Sequence, residues 1–128
     1  MSKPTVRFRI DFSEQESIGP GKIALLECIA GSGSLSQAAR DLGMSYRRAW
    51  RLLNSMNSGS LGIVAISSKG GRGGGGVKLT PFGEELIRSY RAFEKHVQAR
   101  AARHFRAIVS STQKKAVHGL SAVNRIDR

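Results

Sequence analysis

The sequence predicts a mainly α-helical domain of the α+β class that contains one small β-hairpin. Apolar residues recur at spacings of three and four in several segments, as in helices with one buried face. Two short apolar stretches flank residues 67–76, where six of the ten residues are glycine, as expected of a hairpin with an exposed tip. A long apolar period after Pro81 indicates one long final helix.

The N-terminal segment alternates between apolar and charged residues, which predicts a half-buried strand from Val6 to Phe12. Alternate side chains of a strand point to opposite faces, so one set should meet the core and the other solvent. The expected core set is Val6, Phe8, Ile10 and Phe12, and the expected solvent set is Arg7, Arg9 and Asp11.

A first helix is predicted to begin at Pro20 and to end at Gly31 and Gly33. It contains the only cysteine, Cys28, which we expect to be a small buried apolar residue and not a nucleophile or a metal ligand. One cysteine cannot form an internal disulfide, which fits a reducing cytoplasm. The predicted apolar face of this helix consists of Ile23, Leu26, Ile29 and Ala30.

Two short helices follow, separated by a glycine. Ser34 is placed to cap the helix LSQAARDL, and Ser45 to cap the helix YRRAWRLLNSM. Gly43 lies between them, where a left-handed backbone conformation is often required. Small or apolar residues allow two helices to cross closely, and the pattern therefore predicts a helix-turn-helix. The residues expected at the crossing are Ala38, Ala39, Leu42, Met44, Ala49 and Leu52.

The polar face of the second helix predicts a DNA-reading surface in the major groove. Arginine makes a bidentate match to guanine, and asparagine makes a similar one to adenine. The alternative is a helical hairpin with a solvated basic face, and Trp50 fits either packing or base contact. The residues predicted to contact DNA from this pair of helices are Ser36, Gln37, Ser45, Tyr46, Arg47, Arg48, Arg51 and Asn54.

A β-hairpin is predicted after the two helices, with strands at Leu61–Ile66 and at VKLT, residues 77–80. Lys69 and Arg72 are predicted to reach DNA phosphates, so that the hairpin acts as a wing, and Lys78 is also predicted to contact DNA. A plain flexible hairpin tip is the alternative. A nucleotide-binding P-loop does not fit, because the glycines lie between strands and no GK[ST] ending follows.

The final helix is predicted to start with Thr80 as N-cap, Pro81 as its first residue and Glu84 in its first turn. Its apolar seam is narrow and long, and we expect it to pair with the same helix of a second copy; the alternative is that it folds back on its own domain. The predicted division is a DNA-binding domain at 1–80, a dimerisation helix at 81–109 and a basic disordered tail at 110–128. The predicted dimer residues are Leu86, Tyr90, Phe93, Val97, Ala101 and Phe105.

The charge balance favours a polyanionic partner. Lys and Arg number 21 against 9 Asp and Glu, which gives a net charge of +12, and eight of the basic residues lie from Lys95 onward. Nucleic acid is the first candidate partner and an anionic membrane surface the weakest. No signal peptide or membrane span is apparent, so a cytoplasmic location is expected.

No catalytic, metal-binding or cofactor-binding constellation stands out in the sequence, and we expect no enzyme activity, no metal and no cofactor. His96 and His104 are eight residues apart, which is two helical turns and too far for one metal ion. Glu84 and Glu85 are adjacent, point in different directions, and suit the helix terminus.

Two stretches, GSLSQAARDLGMSYRRAW and KGGRGGGGVKLTPFGEEL, resemble the N-terminal domain of the ModE-type molybdate-responsive transcription regulators, a relative of the LysR-type winged helix. The resemblance covers about Pro20 to Leu86. It implies a winged helix-turn-helix, a DNA-bound dimer, and base contacts from the helix that holds Tyr46, Arg47, Arg48 and Arg51. The molybdate-binding domains of that family have no counterpart in this sequence, so we expect a stand-alone DNA-binding half.

Three functions are compatible with these patterns. The first is a sequence-specific, dimeric transcriptional regulator. The second is a non-specific nucleoid-associated or RNA-associated basic protein. The third is a DNA-binding half that pairs with a separate effector-binding protein. Competition by random duplex at physiological salt separates the first from the second.

Overall fold

The computed structural model describes residues 3–68 and 76–110. The chain divides into two compact units. The larger unit is Arg7–Ala92, and the smaller unit comprises the described parts of Met1–Val6 and Phe93–Arg128.

The described elements alternate short strands with helices. Each strand pair is antiparallel, with Ile10 opposite Ile18 in one and Ala65 opposite Leu79 in the other. This order, with a helix-turn-helix followed by a β-hairpin and a long helix, is the predicted α+β winged helix. The elements are β1 Ile10–Asp11, β2 Ser17–Ile18, α1 Pro20–Ser32, α2 Leu35–Asp41, α3 Tyr46–Ser58, β3 Ala65–Ser68, β4 Gly76–Leu79 and α4 Pro81–His104.

Side-chain caps begin three of the helices at the predicted residues. The hydroxyl oxygens of Ser34, Ser45 and Thr80 each accept a hydrogen bond from the backbone N–H three residues later, at 3.1, 3.1 and 3.0 Å. Such a cap satisfies one of the N–H groups that a helix start leaves without a partner. The three predicted N-caps are confirmed.

Two glycines with positive φ end the helices that precede the DNA-reading candidate. Gly33, with φ of 70°, closes α1, and Gly43, with φ of 67°, makes the turn between α2 and α3. A side chain at either position would strain the backbone, since L-residues rarely adopt this conformation. The predicted turn at Gly43 is confirmed.

The core surrounds α1, which contacts α2, α3 and β4. Because α1 is covered from several sides, it buries a wider face than the sequence pattern indicated. Leu25, which the prediction left out, is fully buried, whereas Ala30 is exposed, so its predicted place in the apolar face was wrong. Cys28, which was expected to be buried, is partly buried against this core, and burial raises the pKa of its thiol.

The first strand is shorter than predicted. Only Ile10–Asp11 pairs with another strand, although the alternation holds from Val6 to Ile10. Phe12 is 49% exposed, which contradicts the prediction that it faces the core. The chain turns at this point, where the Phe12 N–H donates to the carbonyl oxygen of Glu16 at 2.7 Å.

The strand predicted at Leu61–Ile66 is displaced along the sequence. The observed strand β3 begins at Ala65, while Leu61 and Ile63 are exposed and lie outside any strand. The chain before Ala65 is held by side chains of other elements instead of by a strand partner.

The final helix α4 ends at His104, five residues before the predicted limit. Residue 105 is a turn, and residues 106–110 are helical again. Helix-type hydrogen bonds still bracket the turn, from the Phe105 N–H to Ala101 and from the Val109 N–H to Phe105, both at 2.9 Å. All but the first residue of the predicted tail, 110–128, lies outside the described residues, and the proposed domain division stays a prediction.

Candidate nucleic-acid interface

Helices α2 and α3 cross closely because alanines lie between them. Ala38, Ala39 and Ala49 are each at most 2% exposed. Larger apolar side chains fill the sides of the crossing, where Leu42, Met44 and Leu52 are partly buried against the core; the packing predicted for the helix-turn-helix is confirmed.

Helix α3 separates a buried face from a polar one. Ala49, Leu53 and Met56 are buried, at spacings of four and three. Because an α-helix has 3.6 residues per turn, residues on the opposite side of the helix also recur every three or four positions. Exposed polar residues occupy that opposite side, and we call them the polar stripe: Arg47, Arg51, Asn54 and Ser58.

Arg47 and Arg48, both predicted to contact DNA, lie at different positions around the helix. Consecutive residues of an α-helix are rotated by about 100°. Arg47 therefore lies at the centre of the polar stripe, whereas Arg48 lies at its edge, although both are exposed.

Two aromatic residues flank the polar stripe on its other side. Tyr46 is 54% exposed and Trp50 is 50% exposed, one helical turn apart. Packing and base contact were both left open as roles for Trp50. Trp50 is not among the core side chains of the described structure, which argues against packing as its main role. Half of its surface is therefore accessible to a ligand.

The electrostatics of α3 favour an anion. The helix contains Arg47, Arg48 and Arg51 and no acidic residue. Within residues 3–68 and 76–110, none of these guanidinium groups takes part in an ion pair, whereas arginines elsewhere pair with Asp11, Glu85 and Glu27. Three exposed and uncompensated charges on one short helix provide a positive surface for a polyanion.

The predicted contacts from α2 and the turn are already engaged within the chain. The Gln37 side chain donates to Asp41 and accepts from Arg40, both at 2.8 Å, and the Ser45 hydroxyl caps α3. Ser36 is exposed. Any contact that Gln37 makes to DNA would compete with these two hydrogen bonds.

The hairpin of β3 and β4 packs against the end of α1, where the Val77 N–H donates to the carbonyl oxygen of Gly33 at 3.0 Å. Lys78 is exposed on β4. The other two predicted wing residues, Lys69 and Arg72, lie outside the described residues.

Asn57 fixes the start of the hairpin to the end of α3, and sequence reasoning missed it. Its Oδ1 accepts hydrogen bonds from the N–H groups of Val64 at 2.8 Å and Ala65 at 3.4 Å. Its Nδ2 donates to the carbonyl oxygen of Ala65 at 3.0 Å. One amide side chain thus orients the wing strand relative to the polar stripe.

Glu16 holds the same connection from the N-terminal hairpin. Its carboxylate accepts hydrogen bonds from the Ser60 N–H, from the Ser60 hydroxyl at 2.8 Å and from the Leu61 N–H at 3.2 Å. Because the hydrogen bonds from Ser60 stabilise the charged form, they lower the pKa of Glu16. No local sequence signal marks this contact, which joins residues 44 positions apart.

The six residues predicted for a dimer interface differ in how far their own chain covers them. Tyr90 is 3% exposed, because its ring stacks on Phe8 at 4.8 Å between centroids and its hydroxyl donates to the Phe8 carbonyl at 2.9 Å. Tyr90 is therefore a core residue of its own chain, which corrects its predicted role. Leu86 also packs partly against the core. The remaining four are Phe93 and Phe105, each 48% exposed, and Val97 and Ala101, which are half-buried.

A metal centre and a membrane-spanning helix are both absent from the described part of the chain. It contains no group of three or more His, Cys, Asp or Glu that could hold a metal ion. None of its helices combines the length and the apolar character needed to cross a membrane.

Comparison with known proteins gives matches to transcriptional regulators. No protein-family model matches the chain. The DNA-binding transcriptional dual regulator ModE of Escherichia coli K12 is 49% identical over 71 residues, which are 56% of this chain and 27% of ModE. The molybdenum-pterin-binding protein MopB of Rhodobacter capsulatus is 38% identical over 104 residues, which are 81% of this chain and 38% of MopB.

Among solved structures, ArgP from Mycobacterium tuberculosis aligns with 73% of this chain and 30% of its own, at a TM-score of 0.44 and 15% identity. The chain spans 27% of the length of ModE and 38% of the length of MopB. Neither of these two relatives is named as an enzyme. The chain is homologous to part of the ModE-type transcriptional regulators, which is the family that its two sequence motifs indicate.

Proposed function

We propose that this chain is the sequence-specific DNA-binding part of a transcriptional regulator and acts as a homodimer. The observation that carries the proposal is the polar stripe of α3, whose Arg47 and Arg51 are exposed and, among the described residues, not ion-paired. The relative ModE, which is named as a DNA-binding regulator, supports the same function.

In this proposal α3 lies in the major groove and the polar stripe reads base edges. Arg47 and Arg51 are one turn apart, about 6 Å along the helix axis, which is the span of about two base pairs. Each arginine can match one guanine through O6 and N7, and Asn54 can match adenine through N6 and N7. Tyr46 and Trp50 offer apolar surface beside the stripe, suited to thymine methyl groups.

The hairpin is proposed to position the protein on the DNA backbone. Lys78 is exposed on β4, and Lys69 and Arg72 belong to the glycine-rich sequence between the two strands, which lies outside the described residues. Lysine and arginine contacts to phosphates set the register and the salt dependence of binding but carry no direct sequence information.

The homodimer is proposed to form through the part of the apolar seam that lies in the smaller unit. Phe93, Val97, Ala101 and Phe105 recur at intervals of four, and the two phenylalanines are about half exposed. Pairing this stripe with that of a second copy removes apolar surface from water at about 25 cal/mol per Å². A two-fold dimer of this kind would bind an inverted repeat.

Selection of bound duplexes from a random pool tests the DNA-binding proposal. The expected result is one preferred sequence arranged as an inverted repeat, with half-sites about one helical turn, or a multiple of it, apart. Recovery of no preferred sequence at physiological salt would favour the non-specific nucleic-acid-binding alternative.

Sedimentation velocity tests the dimer. The wild type should be dimeric at tens of micromolar, and Val97→Asp or Phe105→Asp should be monomeric, because each places a charge in the seam. Lys95→Asp is the matched control, since Lys95 lies on the same helix and outside the seam. A monomeric wild type, or seam variants that remain dimeric, would remove this stripe as the interface.

A further inference from the structure

The smaller unit contains a groove of about 420 Å³ that none of the proposed DNA or dimer contacts uses. Its size falls within the range of about 300–1,000 Å³ that is usual for pockets that bind small molecules. Its apolar lining consists of Pro4, Ala99, Ala102 and Val109.

The N-terminal wall of the groove is anchored by a glutamine. The Oε1 of Gln98 accepts a hydrogen bond from the Val6 N–H, and its Nε2 donates to the carbonyl oxygen of Pro4 at 3.2 Å. Both hydrogen-bonding groups of one side chain thus hold the backbone of the segment against the helix. The groove is therefore formed without a ligand, which lowers the entropy cost of binding one.

The charges around the groove are all positive. Lys3, Arg103 and Arg106 line it together with the apolar residues, and no acidic residue does. In the part of the chain that the structure describes, none of these three cations takes part in an ion pair. A ligand that complements this lining needs an anionic head and a hydrocarbon body.

We propose that the groove binds a small amphipathic carboxylate, with the carboxylate at Arg103 and Arg106 and the hydrocarbon chain over Ala99 and Ala102. Arg103 and Arg106 both line the groove, so one anion in it can contact both guanidinium groups. The alanines are small, which leaves the space above them for the hydrocarbon.

Charge argues against the C-terminal segment of the chain as the occupant. Residues 111–128 carry four Lys or Arg and one Asp, a net positive charge that matches the sign of the three cations. The dimer seam residues proposed above do not line the groove, so a dimer formed through them leaves the proposal intact.

Isothermal titration of the full chain with decanoate tests the proposal. Decanoate should bind saturably at one site per chain, and acetate, which lacks the hydrocarbon, should bind at least about tenfold more weakly because it buries almost no apolar surface. The double variant Arg103→Ala/Arg106→Ala should weaken decanoate binding by about tenfold, in line with the loss of two partly exposed ion pairs.

Two further variants separate the groove from general charge effects. Lys95→Ala/Arg100→Ala removes the same charge from the same helix outside the groove, and it should leave decanoate affinity unchanged. Ala102→Leu fills the groove without changing the charge, and it should weaken decanoate by at least about fivefold through steric exclusion. Melting curves monitored by circular dichroism confirm that each variant is folded.

Four outcomes would overturn the proposal: non-saturable binding, acetate as strong as decanoate, equal losses in the two double variants, or no effect of Ala102→Leu. An acidic, leucine-rich peptide that occupies the groove when decanoate does not would also overturn it, in favour of a protein partner.

Discussion

The hydrogen bonds of Asn57 predict that Asn57→Ala is strongly destabilising. The substitution leaves the Val64 N–H and the Ala65 carbonyl, bonded at 2.8 and 3.0 Å in the wild type, without their partner. Val64 is 1% exposed and Ala65 is 2% exposed, so water has poor access to the abandoned groups. Each unsatisfied buried group costs about 1–3 kcal/mol, so the loss of partners for two groups should lower the free energy of unfolding by about 2–6 kcal/mol.

Urea unfolding followed by far-ultraviolet circular dichroism measures this loss. The slope of the unfolding free energy against urea concentration should be the same for variant and wild type. Ser58→Ala is the matched control on the adjacent residue. Among the residues that the structure describes, the Ser58 hydroxyl donates only to the Asn54 carbonyl of its own helix, at 2.7 Å, and its loss should change stability by less than about 0.5 kcal/mol. If Asn57→Ala were as stable as the control, Asn57 would not hold the hairpin to α3.

Three other substitutions test contacts of the larger unit. Gly83→Ala should lower the free energy of unfolding by about 1–3 kcal/mol, because the new methyl group would meet the carbonyl oxygen of Val64; a stabilised variant would contradict this close packing. Tyr90→Phe should cost about 0.5–1.5 kcal/mol through the lost hydrogen bond to Phe8, and an unchanged melting temperature would show that this bond is not stabilising. Arg91 lowers the pKa of Glu27 through a bidentate ion pair at 2.7 and 2.9 Å. The pair therefore stabilises the fold at pH values above the unfolded-state pKa of Glu27. This stabilisation is lost as the pH falls through the lower pKa that Glu27 has in the folded state. The melting temperature of Glu27→Gln should therefore lie below that of the wild type at pH 7 and converge with it on acidification to about pH 3; a gap independent of pH would refute this linkage.

Local signals were sufficient to predict where the helices begin. Ser34, Ser45 and Thr80 cap helices through contacts within three residues, and the left-handed turn at Gly43 needs no partner elsewhere. Such features depend on the residue and its immediate neighbours, and a single sequence contains that information.

Contacts between distant segments were not predictable in the same way. Asn57 and Glu16 hold the connection between α3 and the hairpin, and neither lies in a motif that specifies its partner. The periodicity of α4 identified an apolar seam, but not that Phe8 covers Tyr90 within the same chain. Periodicity shows which face of a helix is apolar, and packing decides what covers it.

The central claim is that the polar stripe of α3 reads DNA sequence, and the ratio of Kd values for random and selected duplexes tests it most directly. At physiological salt the wild type should favour the selected duplex by at least about a thousandfold. Arg47→Ala/Arg51→Ala should reduce this ratio by at least about thirtyfold, since each bidentate contact contributes about 1–3 kcal/mol of discrimination. Arg7→Ala, which removes an exposed arginine of the N-terminal segment, should leave the ratio unchanged. Equal losses of affinity for both duplexes in the Arg47→Ala/Arg51→Ala variant would contradict the claim, because they would show that these arginines contact only the backbone.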